Sequence, residues 1–267
     1  MIKPSTIFPT DTPWDPEPLP LFLVFLRALG VLVVLLMAHA LNSLRLFMSA
    51  EWGWQWRRKV FQMWARETAS VLGMRVKVRG PLPEAPYLIA SNHLSYVDII
   101  AIATQLDGVF VAKNEVLGWP LLGTIIKGFD ALFVDREDPR DLIRVNREMS
   151  RVLGDGKGIV FFPEGTSTAG RDVLPFQPPL FHSAAAAGHP VHYLTIFYKT
   201  PRSAPPASRS VCWWGDMEFV PHLKELLGIR TFTCSLAFGS GPVVALKRKD
   251  LAGSVWRAVR EQFVPVS

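Results

Sequence analysis

The sequence predicts an α/β domain preceded by a membrane-associated helical segment. Two observations carry this reading. From about residue 86 onward, short β-rich runs alternate with helix-like segments, a pattern that argues for helices layered on a sheet. Ahead of them, an apolar run from Leu19 to Leu41 matches the roughly 20 apolar residues a bilayer span needs. The expected organisation is a proline-rich tail over 1–20, membrane-anchoring helices over 21–75 and the α/β domain over 76–267.

The tail holds Pro4, Pro9, Pro13, Pro16, Pro18 and Pro20, a density that no helix or central strand tolerates. It is not expected to be a secretory signal, because Asp11, Asp15 and Glu17 precede the apolar run where a signal carries basic residues. Arg27 interrupts the apolar run about one third of the way along. At a bilayer centre it would cost about 3 kcal/mol, unless it snorkels to an interface. The helix therefore either spans the bilayer or inserts into one leaflet. The next segment mixes Trp52, Trp54, Trp56 and Trp64 with Arg57, Arg58, Lys59 and Arg66. Such mixtures mark a membrane interface; the alternative is a surface helix whose aromatics pack on the main domain. Residues 42–70 carry five basic and two acidic groups, and residues 1–18 carry one basic and three acidic. The positive-inside rule then places everything after residue 42 in the cytoplasm.

In the α/β part, strands are expected at Tyr87–Ala90, Val109–Ala112, Ala131–Val134, Gly158–Phe162, Val191–Phe197, Val211–Trp214 and Phe232–Phe238. Helices are expected at Tyr96–Leu106, Pro120–Lys127, Pro139–Leu153, Pro179–Ala187, Pro221–Leu227 and Asp250–Phe263.

Of the 267 residues, 49% are apolar and 19% charged, against about 25% charged in average soluble proteins. This excludes a disordered chain, a collagen-like fibre and a coiled coil. Only Cys212 and Cys234 are present, so there is no disulfide scaffold and no CxxC metal site. The net charge, 29 − 23 = +6, favours an anionic partner: membrane headgroups, phosphates or an acidic carrier protein.

The segment Asn92-His93-Leu94-Ser95-Tyr96-Val97-Asp98 follows a strand and opens a helix. Ser95 has N-cap chemistry, with Asp98 at capping-box spacing. His93 and Asp98 are five apart. On one continuous helix they would diverge by about 140°. With His93 in the loop and Asp98 in the first turn they can meet. Asp98 would then fix the imidazole tautomer while the other nitrogen takes a proton from an alcohol. The alternative is a helix-capping carboxylate beside a polar loop residue, and the spacing alone leaves both open.

Three further blocks accompany this one: Lys113-Asn114-Glu115-Val116-Leu117-Gly118-Trp119-Pro120, then Leu132-Phe133-Val134-Asp135-Arg136, then Phe162-Pro163-Glu164-Gly165-Thr166. In this order and at these distances the four blocks resemble the glycerolipid acyltransferase family, over roughly residues 80–240. The resemblance implies a single mixed-sheet acyltransferase domain flanked by helices. It implies His93 as general base with Asp98 as its partner, the acceptor hydroxyl attacking the thioester of acyl carrier protein or coenzyme A without an acyl-enzyme. Arg136 would contact the acceptor headgroup. Asn92, Phe162, Pro163, Glu164, Gly165, Thr166 and Ser167 would shape the acceptor site, with Gly165 permitting close backbone approach. Lys113 would either face a phosphate or pair with Glu115. The implied partners are the bilayer, a lysolipid acceptor and the acyl donor. No cofactor, metal or nucleic acid is expected, and the implied location is the cytoplasmic face of a bacterial inner membrane.

The third block departs from the family pattern. Phosphate-using members commonly continue it as FPEGTRS, whereas Ser167 stands here in place of the arginine. Arg171, in the same loop, could supply that contact instead. The stretch Trp214-Gly215-Asp216-Met217-Glu218-Phe219-Val220-Pro221-His222-Leu223 resembles the lyso-ornithine lipid O-acyltransferases and related bacterial aminolipid enzymes. That implies a lyso-aminolipid acceptor, with 1-acylglycerol-3-phosphate as the alternative. Asp216 and Glu218 would contact a cationic headgroup or serve as ordinary strand-end carboxylates. Three rival readings are a hydrolase built on the near-GxSxG run at Gly165–Ala169, a metal site using His182, His189, His192 and Cys212, and a non-catalytic lipid-binding scaffold.

Overall fold

The computed structural model describes residues 19–118 and 128–266. The expected tail, up to residue 18, and the helix expected over 120–127 lie outside the described residues.

Helix α1 (Leu21–Ser43) continues into a 3-10 turn at Leu44–Phe47, and helix α2 (Ala50–Leu72) follows. The left-handed Gly73, with φ +69°, ends α2 and turns the chain into strand β1 (Met74–Arg79). The remaining strands are β2 (Leu88–Ser91), β3 (Val109–Lys113), β4 (Leu132–Val134), β5 (Ile159–Phe161), β6 (Val191–Lys199) and β7 (Phe232–Phe238). The later helices are α3 (Val97–Ala103), α4 (Pro139–Gly154), α5 (His182–Ala187), α6 (Ala207–Ser210), α7 (Phe219–Gly228) and α8 (Arg248–Gln262). One seven-stranded mixed sheet has the order β1-β7-β6-β2-β5-β3-β4, parallel throughout except for the antiparallel β6–β7 pair.

Strands β2, β5 and β7 are buried on both faces, so they read as largely apolar runs. In β2 and β5 alternate side chains enter two separate cores. Ile89 and Val160 point into a core shared with α1, α2, α3 and α7, and Leu88, Ile159 and Phe161 into a core shared with α4, α5 and α8. The membrane-type helices thus cover one face of the sheet and α4, α5 and α8 the other.

Within the described residues the expected strands and helices are present with small shifts, with one exception. The apolar run Val211–Trp214 is no strand: it leaves the short α6, Cys212 N–H donates to the Ala207 carbonyl, and Trp213 N–H donates to the Leu94 carbonyl. Its burial is that of a core loop. Asp216 and Glu218 accordingly sit in the exposed turn before α7, not at a strand end. Conversely, β1 went unread in the sequence. Its alternating Arg75, Lys77 and Arg79 look like a solvated segment, and the expected boundary at 75/76 cuts through it.

Helix α1 is docked along its length. The Leu19 N–H donates to the Gly228 carbonyl. Arg27 donates to the carbonyls of Leu227, Ile229 and Arg230 at 3.2, 2.7 and 2.8 Å. At the far end, Asn42 Nδ2 donates to the Gly128 carbonyl at 2.7 Å. Arg27 therefore satisfies the orphan carbonyls at the end of α7 and does not snorkel. The opposite side of α1 exposes Leu21, Phe22, Phe25 and Val33, and α1 with the turn that follows is long and apolar enough to cross a membrane. Exposed apolar faces of this kind mark membrane or partner contacts.

Replacing Arg27 by Met keeps the stem but strands these carbonyls. Loss of hydrogen bonds from a charged donor costs about 1.5–3 kcal/mol. A lowered denaturation midpoint in detergent is the expected result.

The tryptophan segment divides. Trp56 Nε1 donates to the Leu41 carbonyl, Trp64 stacks with Phe61 and Phe129, and Trp54 lies between Arg57 and Lys157 at 4.1 and 4.3 Å. Trp52 alone of the four is exposed. Three of the four tryptophans therefore pack on the domain. Of the basic residues, Arg57 is fully buried and donates to the Phe129 carbonyl at 2.7 Å.

Candidate active site

Strands β2, β5, β3 and β4 are neighbours and run parallel. Each motif block places a residue at or just beyond the carboxyl end of one of them. His93 follows β2, Phe162 follows β5, Lys113 closes β3 and Arg136 follows β4. Blocks scattered along the chain therefore converge on one edge, where ligands bind in open α/β sheets.

His93 Nδ1 lies 2.7 Å from Asp98 Oδ2. His93 is in the loop and Asp98 in the first turn of α3, the arrangement the five-residue spacing allows. Asp98 is fully buried. Its Oδ2 also accepts from the backbone N–H groups of Leu94 and Ser95 at 2.7 and 3.1 Å. Its Oδ1 accepts from the Tyr198 hydroxyl at 2.7 Å. An ionised carboxylate is an acceptor only, and four donors converge on this one. The Asp98–Nδ1 contact leaves Nε2 as the free nitrogen, and the His93 side chain is 22% exposed. The capping box is half formed. Asp98 reaches back to the Ser95 N–H, while the buried Ser95 hydroxyl has no partner among the described residues.

The third block holds His93 from its other sides. The Phe162 ring stacks on the imidazole, with centroids 4.1 Å apart and planes at 13°. Glu164 Oε1 accepts the His93 N–H at 2.7 Å, and Oε2 accepts the Leu174 N–H at 2.9 Å. Burial pushes the Glu164 carboxyl up to about 8, against the pull of these two N–H bonds. The buried Glu164 thus ties the His93 and Leu174 loops together. Thr168 N–H donates to the His93 carbonyl at 3.0 Å.

Asn92 is buried as well. Its Oδ1 accepts the Ile196 N–H at 2.7 Å, and its Nδ2 donates to the Ile196 carbonyl at 3.1 Å. A planar amide continues the β2–β6 ladder past the last strand residue and fixes where the His93 loop leaves the sheet. Pro163 is buried, Thr166 exposed and Ser167 half-buried. Ser167 makes no side-chain hydrogen bond to a base among the described residues, as a hydrolase nucleophile would. Lys113 lies 3.6 Å from Glu115, with both side chains exposed, so the pairing alternative is the one seen.

Arg136 is half-buried, with Nη2 donating to the Phe162 carbonyl at 3.5 Å. Its Nε and Nη1 are buried and make no hydrogen bond among the described residues. Unsatisfied guanidinium donors suit an anionic group. Gly165 has φ +85°, and a Cβ there would stand 2.7 Å from Arg136 Nη1. Gly165→Ala therefore strains the backbone and displaces the guanidinium. We expect KM for the acceptor to rise about tenfold, consistent with loss of about 1.4 kcal/mol of binding.

Tyr198 is a functional residue that sequence reasoning missed; it lies just past the strand expected over Val191–Phe197. A buried tyrosine hydroxyl requires a partner, and that rule is the one signal available. Tyr96 and His222 also went unnoticed as a pair. His222 Nε2 lies 3.0 Å from the Cys212 carbonyl and Nδ1 lies 3.0 Å from the Tyr96 hydroxyl. The stretch ending at His222 thus backs the His93–Asp98 loop. His189 and His192 lie half-buried at the start of β6.

The acyltransferase family model matches residues 75–198. The lyso-ornithine lipid O-acyltransferase of Rhodobacter capsulatus is 32% identical over 212 residues, covering 77% of this chain and 76% of that protein. The 1-acyl-sn-glycerol-3-phosphate acyltransferase of Neisseria meningitidis is 35% identical, covering 50% of this chain and 53% of that one. The crystal structure of PlsC, the 1-acyl-sn-glycerophosphate acyltransferase of Thermotoga maritima, superimposes with a TM-score of 0.65 at 21% identity, covering 90% of this chain and 95% of that one. That likeness is one of fold.

Proposed function

Since this chain belongs to the acyltransferase family and is a lysolipid acyltransferase, we propose that it acylates a lyso-ornithine or related lyso-aminolipid, with His93 as general base. The observation that carries the chemistry is the His93–Asp98 pair, with Nε2 left free at the edge where four motif blocks meet. Nε2 takes the proton of the acceptor hydroxyl as its oxygen attacks the thioester carbonyl carbon. The tetrahedral intermediate then collapses, the C–S bond breaks, and the imidazolium returns the proton to the leaving sulfur. Asp98 holds the ring and balances its transient charge. The donor is an acyl thioester of acyl carrier protein or coenzyme A.

The choice of acceptor is supported by Ser167 and by the length of alignment with the lyso-ornithine relative, about three quarters of both chains. The second reading is 1-acylglycerol-3-phosphate, favoured by Arg136, whose Nε and Nη1 make no hydrogen bond among the described residues. That fork also fits the carboxylate of an amino-acid headgroup.

The attachment of both ends of α1 to one body supports insertion into a single leaflet, with the catalytic domain on the cytoplasmic face of a bacterial inner membrane.

The test is parallel transfer of a labelled acyl group to lyso-ornithine lipid and to lysophosphatidic acid by the detergent-purified protein. Higher kcat/KM for lyso-ornithine lipid is expected. Exclusive use of lysophosphatidic acid would replace the first reading with the second.

A further inference from the structure

Helix α4 is amphipathic in an unusual way. It buries Val145, Asn146, Met149 and Val152. Arg140, Arg144, Arg147 and Arg151 are all exposed, and at 100° per residue they fall within about 60° of one another on the opposite side. The stripe is about 16 Å long at 1.5 Å per residue. Arg144 is engaged by Asp141 and Glu148 at 2.6 and 2.9 Å. Arg140, Arg147 and Arg151 make no ion pair among the described residues. Beside them Ile143 is 55% exposed.

Two placements narrow the partner. The helix begins three residues after Arg136, so one end of the stripe adjoins the active-site edge. It also lies on the face of the sheet opposite α1 and α2, and so points away from the apolar surface that meets the membrane. A lipid headgroup layer would meet the other face. A stripe of this length is also too extended for a single phosphate group.

Resting on the acyl-transfer reading above, we propose that the exposed face of α4 is a docking surface for an acidic protein, the acyl carrier protein that delivers the thioester. Charge complementarity positions the carrier, Ile143 supplies an apolar contact, and the carrier's prosthetic arm crosses from the amino end of α4 to His93.

The test compares the full-length protein with the triple variant R140E/R147E/R151E, using acyl carrier protein and coenzyme A thioesters of the same acyl chain. The expected result is a KM for the carrier thioester raised at least tenfold, with kcat retained and both constants for the coenzyme A thioester unchanged. Raising ionic strength should raise the wild-type carrier KM more steeply than that of the variant. The proposal is overturned if the carrier KM does not move, or if both donors are affected equally. Loss of binding to anionic vesicles with an unchanged carrier KM would assign the stripe to the membrane and overturn it too. A wild-type protein that uses coenzyme A thioester alone overturns the docking surface and leaves the acyl-transfer reading standing. Transfer from neither donor overturns both.

Discussion

Replacing His93 by Ala is expected to lower kcat for acyl transfer by about 10³–10⁴, in the upper range of what a positioned general base contributes. The acceptor hydroxyl is too weak a nucleophile to attack a thioester while it keeps its proton. Nε2 of His93 is the free nitrogen of a ring whose other nitrogen is held at 2.7 Å by Asp98. His222 does not substitute, because both its ring nitrogens are engaged, one with the Tyr96 hydroxyl and one with the Cys212 carbonyl. Removal of the ring also frees the Phe162 face, yet the His93 backbone contacts to Glu164 and Thr168 remain. The loop should therefore stay in place. An unchanged far-ultraviolet circular dichroism spectrum and denaturation midpoint would check this. More than a tenth of wild-type kcat in a folded variant would remove His93 from the role of base.

Much of this site was legible because its residues speak locally. His93 and Asp98 meet within a single strand–loop–helix junction, and the four blocks each close a strand that can be read from its apolar run. The supporting contacts were not legible, because each joins positions far apart in the chain. Tyr198 and Asp98 are 100 residues apart, and Asn92 and Ile196 are 104 apart. No periodicity reports such a pair. Glu164 shows a different gap. Its residue type suggested substrate contact, but only the fold reveals that both carboxylate oxygens are taken by backbone N–H groups. Helices α1 and α2 were legible as helices and not in docking. Arg27 reads as an awkward charge in an apolar run until the carbonyl terminus of α7 is placed beside it. Strand β1 was hidden by its charges, since Arg75, Lys77 and Arg79 resemble a solvated segment and its pairing partner, β7, begins only at Phe232.

Asp98→Asn should cost about 10²–10³ in kcat, less than the loss of the base itself. An amide at this position has one orientation that satisfies its neighbours. Its oxygen would face the three donors now on Oδ2, from His93, Leu94 and Ser95, and its NH₂ would face the Tyr198 oxygen, which can turn to accept. Burial pushes the Tyr198 phenol well up and Asp98 adds to the shift, so this oxygen stays protonated and keeps the capacity to donate or accept. The two backbone N–H groups cannot turn, and they hold the amide oxygen toward His93 Nδ1. The tautomer with Nε2 free is therefore kept, unlike catalytic dyads in which the amide flips and presents an N–H to the ring. What is lost is the negative charge that balances the imidazolium as it forms. Asp98→Ala removes the acceptor altogether and leaves two buried N–H groups unsatisfied, each costing about 1–3 kcal/mol. It should thus unfold at lower denaturant as well as lose activity. Tyr198→Phe keeps the carboxylate and removes one of its four donors, and a fall in kcat of only about tenfold is expected, with KM unchanged. The ordering Tyr198→Phe, then Asp98→Asn, then His93→Ala follows from what each variant removes: a hydrogen bond to the charge, the charge, and the base. Asp98→Asn kinetics equal to those of His93→Ala would mean that the amide flips after all, and that Leu94 and Ser95 do not set the orientation of the dyad.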